Sequence, residues 1–234
     1  MATTPLRWLT GLLLLGLALA ATARQTPKDP SLGANDFLLS PEREAGLIAQ
    51  LSAADASWTP TVEQIPGVGT RYRVKRLAGA PPLSITELKQ LLRDPPRFEQ
   101  EQAAVRSLLQ ALRRSGVLVA LGPPRLLGAA GEWDPRGNVL RIRPDVPSKG
   151  SRAFAQVLNH EAIHVAQSCR GRRWFRQQPE PLGLGGQPNA TAERHLAEPL
   201  YARASAAQRI LEAEAYAHQD RLNLGPQLLA AHCH

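Results

Sequence analysis

The spacing of apolar and polar residues along the chain predicts helices interspersed with a few short strands. A hydroxyl, a proline and an acid at residues 40–42 open a helix whose apolar residues Leu47, Ile48 and Leu51 share one face. A capping-box pattern opens a second helix at Ser84, and two prolines end it after Asp94. The same patterns predict a strand over 71–77, a helix over 98–116, a strand over 117–121 and two long helices over 151–168 and 199–222.

A β-hairpin is predicted before the first of these long helices. Residues 132–133 and 139–143 have the pattern of strands, and the segment 134–138, Asp-Pro-Arg-Gly-Asn, has the residue types of a turn. Together these elements predict an α+β fold.

The first residues have the order of a secretory signal peptide. Arg7 precedes an apolar run over 9–21, and Ala21-Thr22-Ala23 supplies the small residues of a cleavage site. The run is short for a permanent anchor, because a helix that spans a bilayer needs about 20 apolar residues. We therefore expect residues 1–23 to be a signal peptide, with an uncleaved N-terminal anchor as the alternative. Residues 24–39, which show no periodicity, are expected to form a linker.

Composition narrows the possible partners. Apolar residues make up 43% of the 234, which excludes a disordered or fibrous chain, and the net charge is +8. The basic residues are spread along the sequence apart from the cluster Arg170, Arg172, Arg173 and Arg176. Because the chain is predicted to be exported and carries no nucleic-acid-binding motif, we expect no nucleic-acid partner and no stable membrane span after signal cleavage.

The chain contains two cysteines, Cys169 and Cys233. Export places them in an oxidising compartment, where a lone pair of cysteines is usually bridged. A disulfide between them is expected, with two free thiols as the alternative.

The most informative string in the sequence is His160-Glu161-Ala162-Ile163-His164. Residues four apart on a helix lie roughly 5–6 Å apart on one face, so both imidazoles can reach one zinc ion. Glu161 lies beside that ion without being a ligand, where it can act as general base and then as general acid. The alternative is a pair of core histidines satisfied by protein groups.

Catalytic zinc usually has three protein ligands, so a third ligand is needed. The late helix offers Glu212 and Glu214. Glu214 shares a mostly apolar face with Leu211, whereas Glu212 shares a polar face with Gln208 and Arg209. Since a ligand points inward, Glu214 is the preferred third ligand, and Glu212 stays the alternative.

The motif, followed far downstream by Glu214-Ala215-Tyr216-Ala217, resembles the gluzincin branch of the zincin metallopeptidases. The string from His160 to Gln167 is similar to the HExxHxxQ string of small bacterial minimal gluzincin domains. The resemblance covers roughly residues 132–222. It implies a zincin-like fold in which a β-hairpin or edge strand precedes the active-site helix and holds a peptide substrate, and a second long helix supplies the third ligand. It also implies that His160, His164 and Glu214 bind zinc and that Glu161 is the catalytic residue.

These observations predict an exported zinc metallopeptidase that hydrolyses peptide bonds. Residues 40–122 form an α-rich subregion of unassigned role, and residues 123–234 form the zincin-like domain. Tyr201, Tyr216 and His195 are candidates by residue type for stabilising an oxyanion. The alternative is an inactive, zinc-stabilised secreted domain that binds a partner or acts as a scaffold.

Overall fold

A computed structural model describes residues 32–76, 80–173, 176–185 and 190–233. Within these ranges the chain has an α+β fold, as predicted. The predicted signal peptide lies outside the described residues. No helix in the described part of the chain is both long and apolar enough to cross a membrane.

Four short strands form the main sheet, in the order β1-β4-β6-β5. β4 and β6 are parallel, whereas β1 and β5 lie antiparallel to their neighbours, at the two edges. Two further pairs of strands, β2 with β3 and β7 with β8, lie apart from this sheet. The strands are β1 (Phe37–Leu38), β2 (Thr61–Ile65), β3 (Gly69–Arg73), β4 (Leu118–Leu121), β5 (Gly131–Asp134), β6 (Val139–Ile142), β7 (Arg172–Arg173) and β8 (Arg176–Gln177).

Seven α-helices occur among the described residues. They are α1 (Pro41–Ala56), α2 (Ile85–Arg93), α3 (Glu99–Arg114), α4 (Ser151–Arg170), α5 (Ala190–Leu196), α6 (Ala206–His218) and α7 (Leu224–His232). Helix α4 carries the histidine motif and is packed against α3, α6, α7 and strand β5. Phe154, Leu158 and Ala162 are fully buried on it, because the apolar stripe along this helix faces the core.

Three boundaries differ from those predicted. The fold begins inside the predicted linker, since β1 pairs with β4 and Asp36 forms an ion pair with the buried Arg141. The predicted strand over 71–77 is β3, which ends at Arg73 and pairs with β2. The core takes residues from both sides of residue 122, so the two predicted subregions share one hydrophobic interior.

The predicted helix over 199–222 is interrupted. A single 3₁₀ turn occupies Pro199–Tyr201, and α6 begins after Ser205. Ser205 accepts a hydrogen bond from the backbone of Gln208, whose side chain accepts one from the backbone of Ser205. This reciprocal cap satisfies the first amides of α6 and starts a new helix there.

Contacts that are remote in sequence fix the ends of α4. At its N-terminus, Asp55 of α1 accepts hydrogen bonds from the backbone and the hydroxyl of Ser151. At its C-terminus, the predicted disulfide is present, and Cys169 is bonded to Cys233 just beyond α7. In between, the buried Asn159 donates to backbone carbonyls of Gln219 and Arg221 and accepts from Gly225. These contacts hold the end of α6 against α4.

Candidate metal centre

Two imidazoles and a carboxylate converge where α4 meets α6. Nε2 of His160 lies 3.1 Å from Nε2 of His164, and Oε2 of Glu212 lies 3.3 Å from the first nitrogen and 3.5 Å from the second. These three side chains are grouped closely enough to hold one metal ion.

The shape of this triangle fits a small divalent cation. Zinc binds histidine nitrogen and carboxylate oxygen at about 2.0–2.2 Å in tetrahedral geometry, which separates neighbouring ligand atoms by roughly 3.3 Å. The three separations in the protein, 3.1, 3.3 and 3.5 Å, are centred on this value. Two imidazoles and one carboxylate are also a donor set typical of catalytic zinc. The residues present therefore fit a zinc ion.

Glu214, the preferred third ligand from the sequence, does not join this group. Its carboxylate accepts hydrogen bonds from the backbone amides of Leu182, Gly183 and Leu184 and from the side chain of Gln167. These bonds outweigh burial, which opposes them, and lower the pKa of Glu214. The structure thus places Glu212, the alternative, beside the histidines and corrects the preference for Glu214.

Glu212 and Glu214 lie on different sides of α6, and each side faces a different part of the protein. Leu211 and Ala215 form its buried line, and residues two apart on a helix, such as Glu212 and Glu214, point to opposite sides. Glu212 lies on the side of the cleft, whereas Glu214 lies on the side covered by the chain around Leu182. Amphipathic pattern could not choose between them, because protein faces the helix on both sides.

Gln167 fixes the orientation of His164. Its Oε1 lies 2.7 Å from Nδ1 of His164, and its Nε2 donates to the carbonyl of Leu211 and to Glu214. Because the amide nitrogen is engaged by acceptors, the amide oxygen faces the imidazole and accepts its Nδ1 proton. Nε2 then directs its lone pair toward His160 and Glu212, as metal binding requires.

The second ring nitrogen of His160 is less well satisfied by hydrogen bonds than that of His164. Nδ1 of His160 is buried and makes no hydrogen bond of ordinary geometry to a described residue. Burial and the neighbouring His164 lower the pKa of His160, whereas Glu212 and the nearby side chain of Gln219 raise it. The net pKa of His160 is lowered, so this imidazole favours the neutral form that binds metals.

The electrostatics of the group favour a positive charge at its centre. Burial would lower the pKa of His164, but the hydrogen bond to Glu212 and the charges of Glu212 and Glu161 outweigh it and raise this pKa to about 9. Burial would likewise raise the pKa of Glu212, but its hydrogen bonds with both histidines bring it well below its usual range. A proton or a metal ion can supply this positive charge.

Glu161 lies between the histidines and the edge strand β5. A β-carbon at Gly131 would stand 2.6 Å from Oε1 of Glu161, so the carboxylate rests against the bare backbone of this strand. A hydrogen bond from the backbone of Trp133 and the charge of His164 lower its pKa, but burial dominates and raises it to about 8. The structure therefore places Glu161 beside the ligand group without making it part of the group.

Strand β5 presents an open edge to the cleft. The amide of Arg143 donates to the carbonyl of Ala130, so the alternation of an antiparallel pair directs the backbone groups of Gly131 and Trp133 away from β6. The cleft has a volume of about 570 Å³. Its lining includes Gly131 and Trp133 of β5, the three side chains of the proposed ligand triangle, and Tyr201 and Tyr216.

The three residues proposed by type for stabilising an oxyanion all line this cleft. The hydroxyl of Tyr201 donates to Oε2 of Glu212 over 3.0 Å and lies 2.8 Å from the hydroxyl of Tyr216. Burial raises the pKa of Tyr216 to about 12, so its hydroxyl keeps its proton near neutrality. The ring of His195 stacks on that of Tyr216 at 4.4 Å. Single residue types in the sequence gave no sign of this clustering.

Comparisons of the chain with protein-family models, with curated proteins and with solved structures found no match. Its function is therefore inferred from the chemistry and geometry of the site.

Proposed function

We propose that this chain is an exported zinc-dependent metallopeptidase of the gluzincin type. The observation that carries the proposal is the triangle formed by His160, His164 and Glu212, with Glu161 between that triangle and an open strand edge. A metal-binding scaffold needs the triangle alone. A hydrolase also needs a buried carboxylate beside it and a place for the substrate, and this chain has both.

The arrangement of elements supports a zincin-like fold. Helix α4 supplies the two histidines, α6 supplies the glutamate, and the β5–β6 hairpin precedes α4 in the chain. This is the order implied by the resemblance of the motif to gluzincins.

Glu161 is positioned to carry the proton in hydrolysis. Zinc held by the triangle would activate a water molecule and polarise the scissile carbonyl. Glu161 accepts the proton of the attacking water and donates it to the leaving amine. Its low-dielectric surroundings strengthen this transfer because they exclude competing solvent.

The open edge of β5 suits an extended peptide. The backbone groups of Gly131 and the carbonyl of Trp133 can pair with the main chain of a substrate, which then lies along the cleft as an added strand, while the amide of Trp133 donates to Glu161. Both tyrosine hydroxyls line the same cleft, where Tyr201 donates to Glu212 and Tyr216 therefore donates to Tyr201. By giving up its bond to Tyr201, the hydroxyl of Tyr216 can donate to a negatively charged oxygen in the cleft.

Export agrees with the disulfide between Cys169 and Cys233, because such bonds persist in oxidising compartments. It also agrees with the order of residues 1–23 in the sequence.

The decisive experiment measures metal content and hydrolysis on one preparation of the chain expressed with export. We expect one zinc per chain by elemental analysis, and cleavage of an unbiased peptide library that a chelator abolishes and added zinc restores. Bound zinc without any cleavage would instead support a zinc-stabilised binding domain. A preparation without zinc affinity would contradict both functions.

A further inference from the structure

We infer that Glu214 and the segment 180–185, termed the strap, form a positioning device that sets His164 for metal binding through Gln167. The inference rests on the proposed metal site and extends it to the strap and Glu214, neither of which lines the cleft.

The strap binds the carboxylate of Glu214 through consecutive backbone amides. Leu182 donates to one oxygen over 2.7 Å, while Gly183 and Leu184 donate to the other over 2.7 and 3.0 Å. Gly183 has φ +71°, a conformation that turns successive N–H groups toward one anion. Three main-chain donors on one side chain form a site built for a carboxylate.

The strap is also fixed to α4, the helix of the histidines. The amide of Glu180 donates to the carbonyl of Gln167, and Arg170 donates to the carbonyl of Leu182 over 2.6 Å. Leu182 is buried with Ile163 and other apolar residues in a small second core cluster. The strap therefore spans α4 and α6 next to Gln167.

Gln167 transmits this arrangement to the imidazole. Its Nε2 donates to the same oxygen of Glu214 that accepts from Leu182, over 2.9 Å. Together with the bond from Nε2 to the carbonyl of Leu211, this bond keeps the amide nitrogen away from His164, so that Oε1 accepts from Nδ1. If the amide turned over, its N–H would face Nδ1, the imidazole proton would move to Nε2, and His164 could not bind a metal in that form.

Two substitutions test this without touching the cleft. Glu214→Gln keeps the shape but replaces one acceptor oxygen by a donor, so it cannot accept all four hydrogen bonds. Gly183→Ala leaves every side chain of the network in place and strains only the backbone, because its β-carbon would meet nothing within 4 Å. Gly67→Ala is the matched control, since Gly67 has φ +74° and equally open space in the turn between β2 and β3.

Zinc affinity, measured by competition with a chelator, should fall about 10–100-fold in Glu214→Gln, the range found when groups that orient metal ligands are removed. It should fall by less in Gly183→Ala and stay unchanged in Gly67→Ala, even where the melting temperatures of the two alanine variants drop equally. The ¹⁵N spectrum of His164 in metal-free protein above pH 9 should show the Nδ1–H tautomer in the original chain and a mixture in both strap variants.

Unchanged zinc affinity and an unchanged tautomer in Gly183→Ala would overturn the inference, as would an equal loss of affinity in Gly67→Ala. If Glu214→Gln fails to fold, Gly183→Ala still decides. Neither readout requires hydrolysis, so a chain that responds as expected but cleaves no peptide would refute the peptidase and leave the positioning role standing. If the chain binds no zinc, the tautomer decides by itself.

Discussion

Glu161 rests against Gly131 so closely that a β-carbon on the glycine would lie 2.6 Å from Oε1 and 2.7 Å from Cγ of the glutamate. Any other residue at position 131 requires the carboxylate or the strand to move. The edge of the sheet and the carboxylate beside the histidines are therefore packed as one unit. This contact yields two predictions that separate catalysis from metal binding.

Glu161→Gln should abolish most hydrolysis while leaving the metal in place. The amide has nearly the same shape but cannot accept a proton, so we expect the rate to fall roughly 10²–10⁴-fold. Elemental analysis should still give one zinc per chain, because Glu161 is outside the ligand triangle. Full activity in this variant would remove Glu161 from the mechanism.

Gly131→Ala should impair hydrolysis from a position that carries no reactive group. The added methyl displaces Glu161 from its place and narrows the strand edge proposed to bind the substrate. We expect lower kcat with zinc content unchanged. The matched control is Gly46→Ala in α1, where the added β-carbon meets nothing within 4 Å. Equal kinetics in the two variants would contradict the role assigned to this contact.

Glu212→Gln should lower zinc affinity more than Glu214→Gln does. The first substitution removes the negative oxygen that lies within 3.5 Å of both imidazole nitrogens, whereas the second acts only through Gln167. At saturating zinc the Glu214 variant should still bind one ion. A larger effect at Glu214 would support the original preference drawn from helical phase and reverse the assignment of the ligands.

Zinc binding should release protons near neutral pH. In the metal-free protein the pKa of His164 is raised to about 9, so this imidazole is protonated at pH 7.5 and must lose its proton to become a ligand. Glu161, with a pKa of about 8, contributes up to one more proton when a cation arrives. Apparent affinity should therefore rise with pH up to about 9 and level off above it. Calorimetry at pH 7.5 in buffers of different ionisation enthalpy measures the protons released, and a value near zero would be inconsistent with this picture.

Asp55→Ala should destabilise the whole fold, although Asp55 lies 96 residues before Ser151. The substitution leaves the first amide and the hydroxyl of α4 without their acceptor in a buried position, which costs about 1–3 kcal/mol. Urea denaturation should show this loss, whereas Asp94→Ala at an exposed position should change stability by less than about 0.5 kcal/mol. Similar midpoints for both variants would argue against the capping role.

Local patterns in the sequence predict much of the fold. The Ser-Pro-Glu start of α1, the capping box at Ser84 and the apolar stripe of α4 depend on neighbours within one or two helical turns, so the sequence places these helices near their observed positions. The short strands β1 and β2 and the helix α7 were not predicted. β1 has only two residues and is held by pairing with β4, a contact that no local pattern encodes.

The sequence by itself determined the α+β class, the hairpin before α4 and the pairing of His160 with His164, because each depends on spacing along one element or on composition. It favoured the disulfide over two free thiols, and the structure contains that bond. Only the tertiary structure decided between Glu212 and Glu214. One side of α6 faces the histidines of α4 in the cleft, and the other side contacts the strap. Hydrophobic pattern therefore carries no information about which side faces the histidines. That choice is set by the packing of α6 against α4, which Asn159 and the buried line of Leu211 and Ala215 fix in three dimensions.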